Sequence, residues 1–272
     1  KLTDDNVYIN NSIFPTEELV GAVTNLPKNT ALVNADGWIA VSVEKMEDET
    51  VIDSLEKIQF DGKCKRLEHL WNIFQFNPEE INSDFEIVTK GRRSQPLSTT
   101  NRVLCPENVF VEEGAKVEFS IINASEGKVY IGKDAEIWEN AVIRAPFAMN
   151  EHAVVKMSAK IYEGTTIGPY SKVGGEVQNS VIIGYSNKGH DGYLGNSVLG
   201  EWCNLGADTN NSNLKNDYSE VKLWNYASHT FEKTGLQFCG LMMGDHSKSA
   251  INTMFNTGTV VGVSSNVFGG GF

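Results

Sequence analysis

From Ile131 to Val173 an aliphatic residue or methionine returns at every sixth position: Ile131, Ile137, Ile143, Met149, Val155, Ile161, Ile167 and Val173. A second register runs in phase with it. Four residues after each of the first seven come Ala135, Ala141, Phe147, Ala153, Ala159, Thr165 and Ser171, all small except Phe147. A step of six suits neither an α-helix, which repeats at 3.6, nor a strand, which repeats at two. It is the period of a β-solenoid, in which each hexad forms one flat face of a prism. The aliphatic side chain points into the prism and stacks on its equivalents in neighbouring coils, burying apolar surface at about 25 cal/mol per Å². The small residue sits near the corner, where a larger side chain would collide.

Val111 and Val117 already keep the step, so the solenoid is expected to begin near Val109, with a slip of two between Ser125 and Lys128. After Val173 the period breaks and resumes at Tyr193, Leu199 and Leu205. The stretch from Val173 to Tyr193 reads as one coil of three hexads plus an insertion of two. A longer break runs from Asn210 to about Leu241, before Met242, Lys248, Met254 and Val260 restore the period. Breaks in a strict repeat are read as loops pushed out of one face, and loops on a rigid scaffold are where binding residues gather.

Residues 1 to about 90 have a different texture. Pro15-Thr16-Glu17-Glu18 looks like a helix start, with Leu19, Val23 and Leu26 on one face and an end at Pro27. Asn34-Ala35-Asp36-Gly37 between two apolar runs is a hairpin signal. Leu67, Leu70, Trp71 and Phe74 are spaced for an amphipathic helix. The whole reads as a small α/β unit, joined to the solenoid by the basic connector Lys90 to Pro96. Arg92 and Arg93 there are read as solvated linker residues or partners for an acidic chain, in preference to a phosphate site. The fold expected is therefore mainly β: a parallel β-helix over residues 101–272, preceded over 1–100 by part of an α/β domain and a linker.

The net charge of −12 and pI of about 4.9 argue against a surface made for nucleic acid or anionic membrane. With no apolar run long enough to cross a bilayer and no charged-then-apolar leader in this stretch, cytoplasm is the default expectation. Four separated cysteines form no CxxC pair, which favours reduced thiols over a zinc knuckle or disulfides. The chain starts on Lys1 and stops on a glycine-rich Phe272 end, so a fragment of a longer product is expected.

The chemistry is expected at the breaks. The first holds His190 and Tyr193 among four glycines, between Gly184 and Gly195. Imidazole titrates near 6.5 in water, and a His flanked by glycines can be approached closely enough to take a proton at neutral pH. The second break is rich in asparagine from Asn204 to Asn216, where a structural ladder is the favoured reading of any single amide.

Three segments carry a family resemblance: GPYSKVGG (168–175), NKGHDGYLG (187–195) and NLGADTNNSNLK (204–215). They are similar to the acetyltransferase half of the bifunctional bacterial N-acetylglucosamine-1-phosphate uridyltransferase/glucosamine-1-phosphate acetyltransferases. The whole chain looks more like the variant branch found in Bacteroidetes-type bacteria. The resemblance implies a left-handed β-helix that forms a homotrimer, with acetyl-CoA sites between subunits and an amino-sugar phosphate as acceptor. It matches His190 to the general base, Tyr193, Asn204 and Asn213 to the sugar-phosphate site, and Ala207 to a backbone contact with the coenzyme. Where the family carries an Arg for the sugar phosphate this chain offers Lys172, and Lys188 is nearest to the family Lys that follows. The coenzyme-phosphate Lys is matched by Lys215 or Lys222. In the full protein the resemblance implies uridylyl or thymidylyl transfer with Mg²⁺. Before Gly91, however, this stretch has no GxG loop of the kind that cradles a triphosphate.

Two other classes compete. Some β-helix trimers bind zinc through histidines, and His152, His190, His229 and His246 supply raw material. Their spacing does not set three on one edge: His152 falls at an outward position and His246 in a small-residue slot, so no metal ligand is assigned. The third reading is a catalytically inactive scaffold.

Overall fold

The computed structural model describes residues 6–269. Lys1 and Phe272, the two ends on which the fragment reading rests, lie outside the described residues. The chain forms two compact units, one up to Leu70 and one from Trp71 onward.

In the first unit β1 (Asn6–Ile9), β2 (Thr30–Asn34), β3 (Gly37–Val43) and β4 (Glu56–Gln59) make one sheet in the order β1-β3-β2-β4. The Asn-Ala-Asp-Gly turn closes the β2–β3 hairpin: Asn34 pairs with Gly37, whose φ of +122° suits glycine. Helix α1 (Glu17–Thr24) starts where Thr16 Oγ1 accepts the Leu19 amide at 3.2 Å, and it buries Leu19 beside Leu32, Ile39 and Phe60.

The second unit is a parallel β-solenoid whose hexads alternate over three faces. The first face is an eight-stranded sheet from Val109–Val111 to Val260–Val261. The second runs from Arg102–Leu104 through Tyr193–Gly195 and continues as the pair Asn210–Asn211 and Met254–Phe255. The third runs from Lys116–Val117 to Asn187–Lys188, then through a bridge at Asn204 to Lys248–Ser249 and Asn266–Val267. As the repeat requires, Ile131, Met149 and Ile167 stack on the first face, Ile137, Val155 and Val173 on the third, and Ile143 and Ile161 on the second. All of them are buried.

The structure differs from the sequence reading in four places. The prism begins at Arg102, one strand earlier than Val109, and Ser94 and Gln95 of the connector pair with Val111. Arg92 is held there by Glu112 at 2.6 Å and lies over the Phe110 ring, so it is an internal partner.

The break after Val173 is a shortening and not an insertion: Val173 pairs with Lys188, fifteen residues on, whereas Val155 to Val173 spans eighteen. The inward residue of the next hexad is therefore Leu194, and Tyr193 faces out.

In the last coils Met243, Ser249, Phe255 and Val261 point inward, one place after the expected set. The pairs Met242-Met243, Met254-Phe255 and Val260-Val261 are apolar in either register. Lys248 decides between them, because a lysine is cheaper outside, where it is exposed. The small slot is accordingly Ser247, and His246 sits outside on the corner.

The helix expected around Leu67 to Phe74 is α2 (Asn72–Thr89) instead, with Leu70 exposed ahead of it. It buries Phe74, Ile81 and Phe85 and lies on the first face, where Asn77 bridges the Gly164 carbonyl (2.7 Å) and Thr166 (2.8 Å). Farther along that face, Val181, Val198 and Met242 are covered by Trp71 and Phe74, and by Val221 and Leu223 of the long insertion. That insertion folds as a hairpin of Lys222–Asn225 and Thr230–Lys233.

At the edge from first to third face, five successive coils place His152, Tyr170, Tyr185, Trp202 and His246 in the left-handed region, with φ between 50° and 59°. Their rings stack in one column, with centroids 4.7, 5.4, 4.8 and 6.3 Å apart. A bulky residue in this conformation costs roughly 1–2 kcal/mol, and stacking returns about 0.5–1.5 kcal/mol per pair. Neighbouring coils thus offset each other's strain.

Candidate active site

His190 lies on the opposite edge, where the third face turns into the second, in the turn Gly189-His190-Asp191-Gly192. The shortened coil makes this turn tight. Gly192 has φ +116°, and a Cβ there would fall 2.1 Å from the Thr209 carbonyl oxygen. The Asp191 carbonyl accepts the Asp208 amide (3.1 Å), and the Gly192 carbonyl accepts the Glu176 amide (3.2 Å). The turn is thus clamped to the coils on both sides while its imidazole is exposed, with no hydrogen bond among the described residues.

Lys188 is buried, level with Val173 in the inward column. Its Nζ donates to the carbonyls of Gly174 (3.0 Å) and His190 (2.8 Å). Burial pushes its pKa down to about 8, opposed by the nearby Asp191 and Asp208 carboxylates. An unfolded lysine keeps its proton up to about 10.4. Between these values the unfolded chain binds more protons, so this residue's contribution to stability rises with pH. Unfolding measured on wild type and Lys188→Met should therefore show the wild type gaining about 3 kcal/mol on the variant from pH 8 to 10.5. A flat difference would mean that the ammonium is solvated.

Around the corner, on the second face, the Tyr193 hydroxyl donates to Gln178 Oε1 (2.9 Å) and accepts from Asn213 Nδ2 (2.9 Å). Asn213 also donates to Asn196 Oδ1 (2.7 Å), and Asn210 Oδ1 takes the Tyr193 amide (2.8 Å). Burial raises the phenol's pKa. Its ring lies across Gly195, where a Cβ would come 2.2 Å from the hydroxyl. Asn211, buried inside the prism, holds both the amide (2.9 Å) and the carbonyl (3.1 Å) of Gly195.

On the third face, Lys172, Asn187, Asn204 and Lys248 follow one another in a single outward row. Ala207 lies on the corner one coil beyond His190, its carbonyl accepting the Asn252 amide (2.8 Å). The structure thus gathers His190 and Ala207 on one edge, Lys172 and Asn204 on one flank, and Tyr193 and Asn213 on the other. Lys188 is turned inside. Lys215 and Lys222 belong to the insertion: Lys215 Nζ donates to the Glu220 carbonyl (2.8 Å), and Lys222 sits opposite Lys233 in the hairpin. Gln178, Asn196 and Asn210 escaped the sequence reading because a lone amide carries no periodic signal. Gly195 next to Tyr193 was the available clue. Among the described residues no three His, Cys, Asp or Glu side chains are placed to share a metal ion, and no helix is long and apolar enough to cross a membrane.

Comparison with known proteins bears on both units. Residues 1–93 match the sugar nucleotidyl transferase family, a stretch that takes in α2 as well as the first unit. The chain is 26% identical over 215 residues to a bifunctional sugar-1-phosphate nucleotidylyltransferase/acetyltransferase of Sulfurisphaera tokodaii, covering 78% of this chain and 47% of that protein. It is 34% identical over 110 residues to the bifunctional protein GlmU of Methanocaldococcus jannaschii, covering 40% and 25%. To the bifunctional protein GlmU of Methanococcus maripaludis it is 25% identical over 216 residues, covering 79% and 45%. The chain spans about half the length of the curated relatives it matches at most. A region that matches the sugar nucleotidyl transferase family, followed by a hexapeptide β-solenoid, makes this chain similar at low identity to the bifunctional sugar-1-phosphate nucleotidylyltransferase/acetyltransferases.

Proposed function

We propose that the solenoid transfers an acetyl group from acetyl-CoA to the amine of an amino-sugar phosphate, glucosamine 1-phosphate first among them. The observation that carries this is His190: an exposed imidazole on a turn clamped from both sides, beside a fixed row of polar groups on each flank. The amine nitrogen attacks the thioester carbonyl, the C–N bond forms as the C–S bond breaks, and coenzyme A leaves as the thiol. His190 takes the amine proton, a role worth about 10² to 10⁴ in rate. A backbone N–H holds the developing oxyanion. Tyr193 and Asn213, locked to each other, Gln178 and Asn196, present preset polar groups to the sugar, and Lys172 is the exposed cation for its phosphate.

Homotrimerisation with acetyl-CoA sites between subunits, Ala207, Lys215 and Lys222 as coenzyme contacts, and sugar-1-phosphate nucleotidyl transfer by the full protein belong to the same proposal. The nucleotidyl transfer is supported by the name of the Sulfurisphaera tokodaii relative, and the trimer and the coenzyme contacts by the resemblance alone. The described residues of the first unit bring together no carboxylate cluster for Mg²⁺.

The test is release of coenzyme A thiol from acetyl-CoA with glucosamine 1-phosphate, galactosamine 1-phosphate, glucosamine and glucose 1-phosphate as acceptors. Thiol release that requires both the amine and the phosphate is expected. No release with any amino sugar would overturn the proposal.

A further inference from the structure

Among the described residues Lys188 is the only charged one that is buried. It occupies the inward column that Val117, Ile137, Val155 and Val173 fill on the preceding coils. An apolar side chain would fill that column without desolvating a charge, and replacing buried ionic groups by apolar ones is often neutral or stabilising. Core packing therefore does not account for a lysine here. What the ammonium reaches does: the carbonyl of Gly174 on one coil and that of His190 on the next. These two turns are in close contact, since a Cβ on Gly175 would lie 2.9 Å from the His190 carbonyl oxygen. The shortened coil leaves those two carbonyls turned toward the interior, and the Lys188 ammonium donates to both.

We infer that Lys188 is a positioning residue for His190, its buried ammonium tying the His190 carbonyl to the preceding coil and so fixing where the imidazole stands. The inference rests on the acyl-transfer reading for its functional half, whereas the tether itself can be judged without it.

The experiment compares full-length wild type with Lys188→Met and Lys188→Arg. It follows amide hydrogen exchange over residues 189–192 and steady-state acetyl transfer. In the Met variant, exchange at 189–192 should rise at least about tenfold with the rest of the solenoid unchanged. Its kcat should fall about tenfold to a hundredfold at nearly constant KM, the effect of displacing a catalytic group by about 1 Å. Arginine, which keeps a charged donor, should restore part of both.

Unchanged exchange at 189–192 overturns the inference, as does a kcat within about twofold of wild type in a variant whose exchange has risen. A higher KM for the sugar phosphate with kcat intact also overturns it, because Lys188 would then be a substrate ligand. If wild type transfers no acetyl group, the function assigned to the solenoid fails while exchange still decides the tether. Should Lys188→Met not fold, Lys188→Gln takes its place: its shorter side chain cannot reach both carbonyls, so exchange at 189–192 should still rise about tenfold. Unchanged exchange in that variant overturns the tether.

Discussion

Replacing His190 with alanine is expected to lower kcat for acetyl transfer at least about a hundredfold while leaving the thermal midpoint within a degree or two. The two halves of this expectation have separate causes. The rate loss is that of a general base, about 10² to 10⁴. The stability is spared because the imidazole is exposed and hydrogen-bonds nothing among the described residues. The turn is set by backbone contacts that the variant keeps: the Lys188 tether and the Asp191 and Gly192 carbonyl bonds. Glutamine at the same place keeps polarity without basicity and should be as slow as alanine. Thiol release measured beside thermal unfolding separates the cases. Equal rates in wild type and variant would remove His190 from the chemistry, and a large fall in the midpoint would mean that the turn depends on the side chain.

Phe147→Ala should cost about 3–5 kcal/mol of unfolding free energy, the usual range for a buried aromatic. Phe147 stands in the register otherwise given to small residues. Its neighbours in the column are Val129 on one side and Thr165 on the other, and it is completely buried. The ring therefore fills space that several coils share, and neither neighbour is long enough to reach across the void left by alanine. Because each coil touches only the next, the loss should be felt as weakened coupling between the coils on either side. Denaturant unfolding with the slope m compared between the two proteins measures it. A cost below about 1 kcal/mol would mean that the coils close up around the gap.

The solenoid is legible because eight successive positions from Ile131 to Val173 keep the apolar step unbroken, with a second register in phase, so that even pairs such as Val142-Ile143 and Val154-Val155 are phased by their neighbours. In the last coils the pairs Met242-Met243, Met254-Phe255 and Val260-Val261 recur without such a run, so both phases fit and the sequence alone sets the register one residue early. α2 is hard to place from sequence for another reason: its buried Phe74, Ile81 and Phe85 lie far apart along the chain, with Pro78 between the first two weakening the helical pattern. At the candidate site, His190 and Tyr193 stood out because glycines surround them. From sequence Lys188 is only the nearest match to a family lysine, and nothing there marks it as buried. That its coil is three residues short, which brings it level with Val173, appears only once the strands are paired. Gln178 comes from the preceding coil, and Asn196, three residues after Tyr193, joins it only through Asn213, whose amide reaches both.

The column of rings on the far edge gives the coil of His190 a built-in optical gauge. Tyr185 and Trp202 bracket that coil in sequence, and their rings lie parallel within 7° at 4.8 Å. Chromophores so close and so aligned couple electronically, and the coupling decays steeply as they separate. Of the five tryptophans only Trp202 stands in this column. Near-ultraviolet circular dichroism, with Trp202→Phe as the reference, would therefore follow the pitch of the coil that carries His190 directly, with no substrate present.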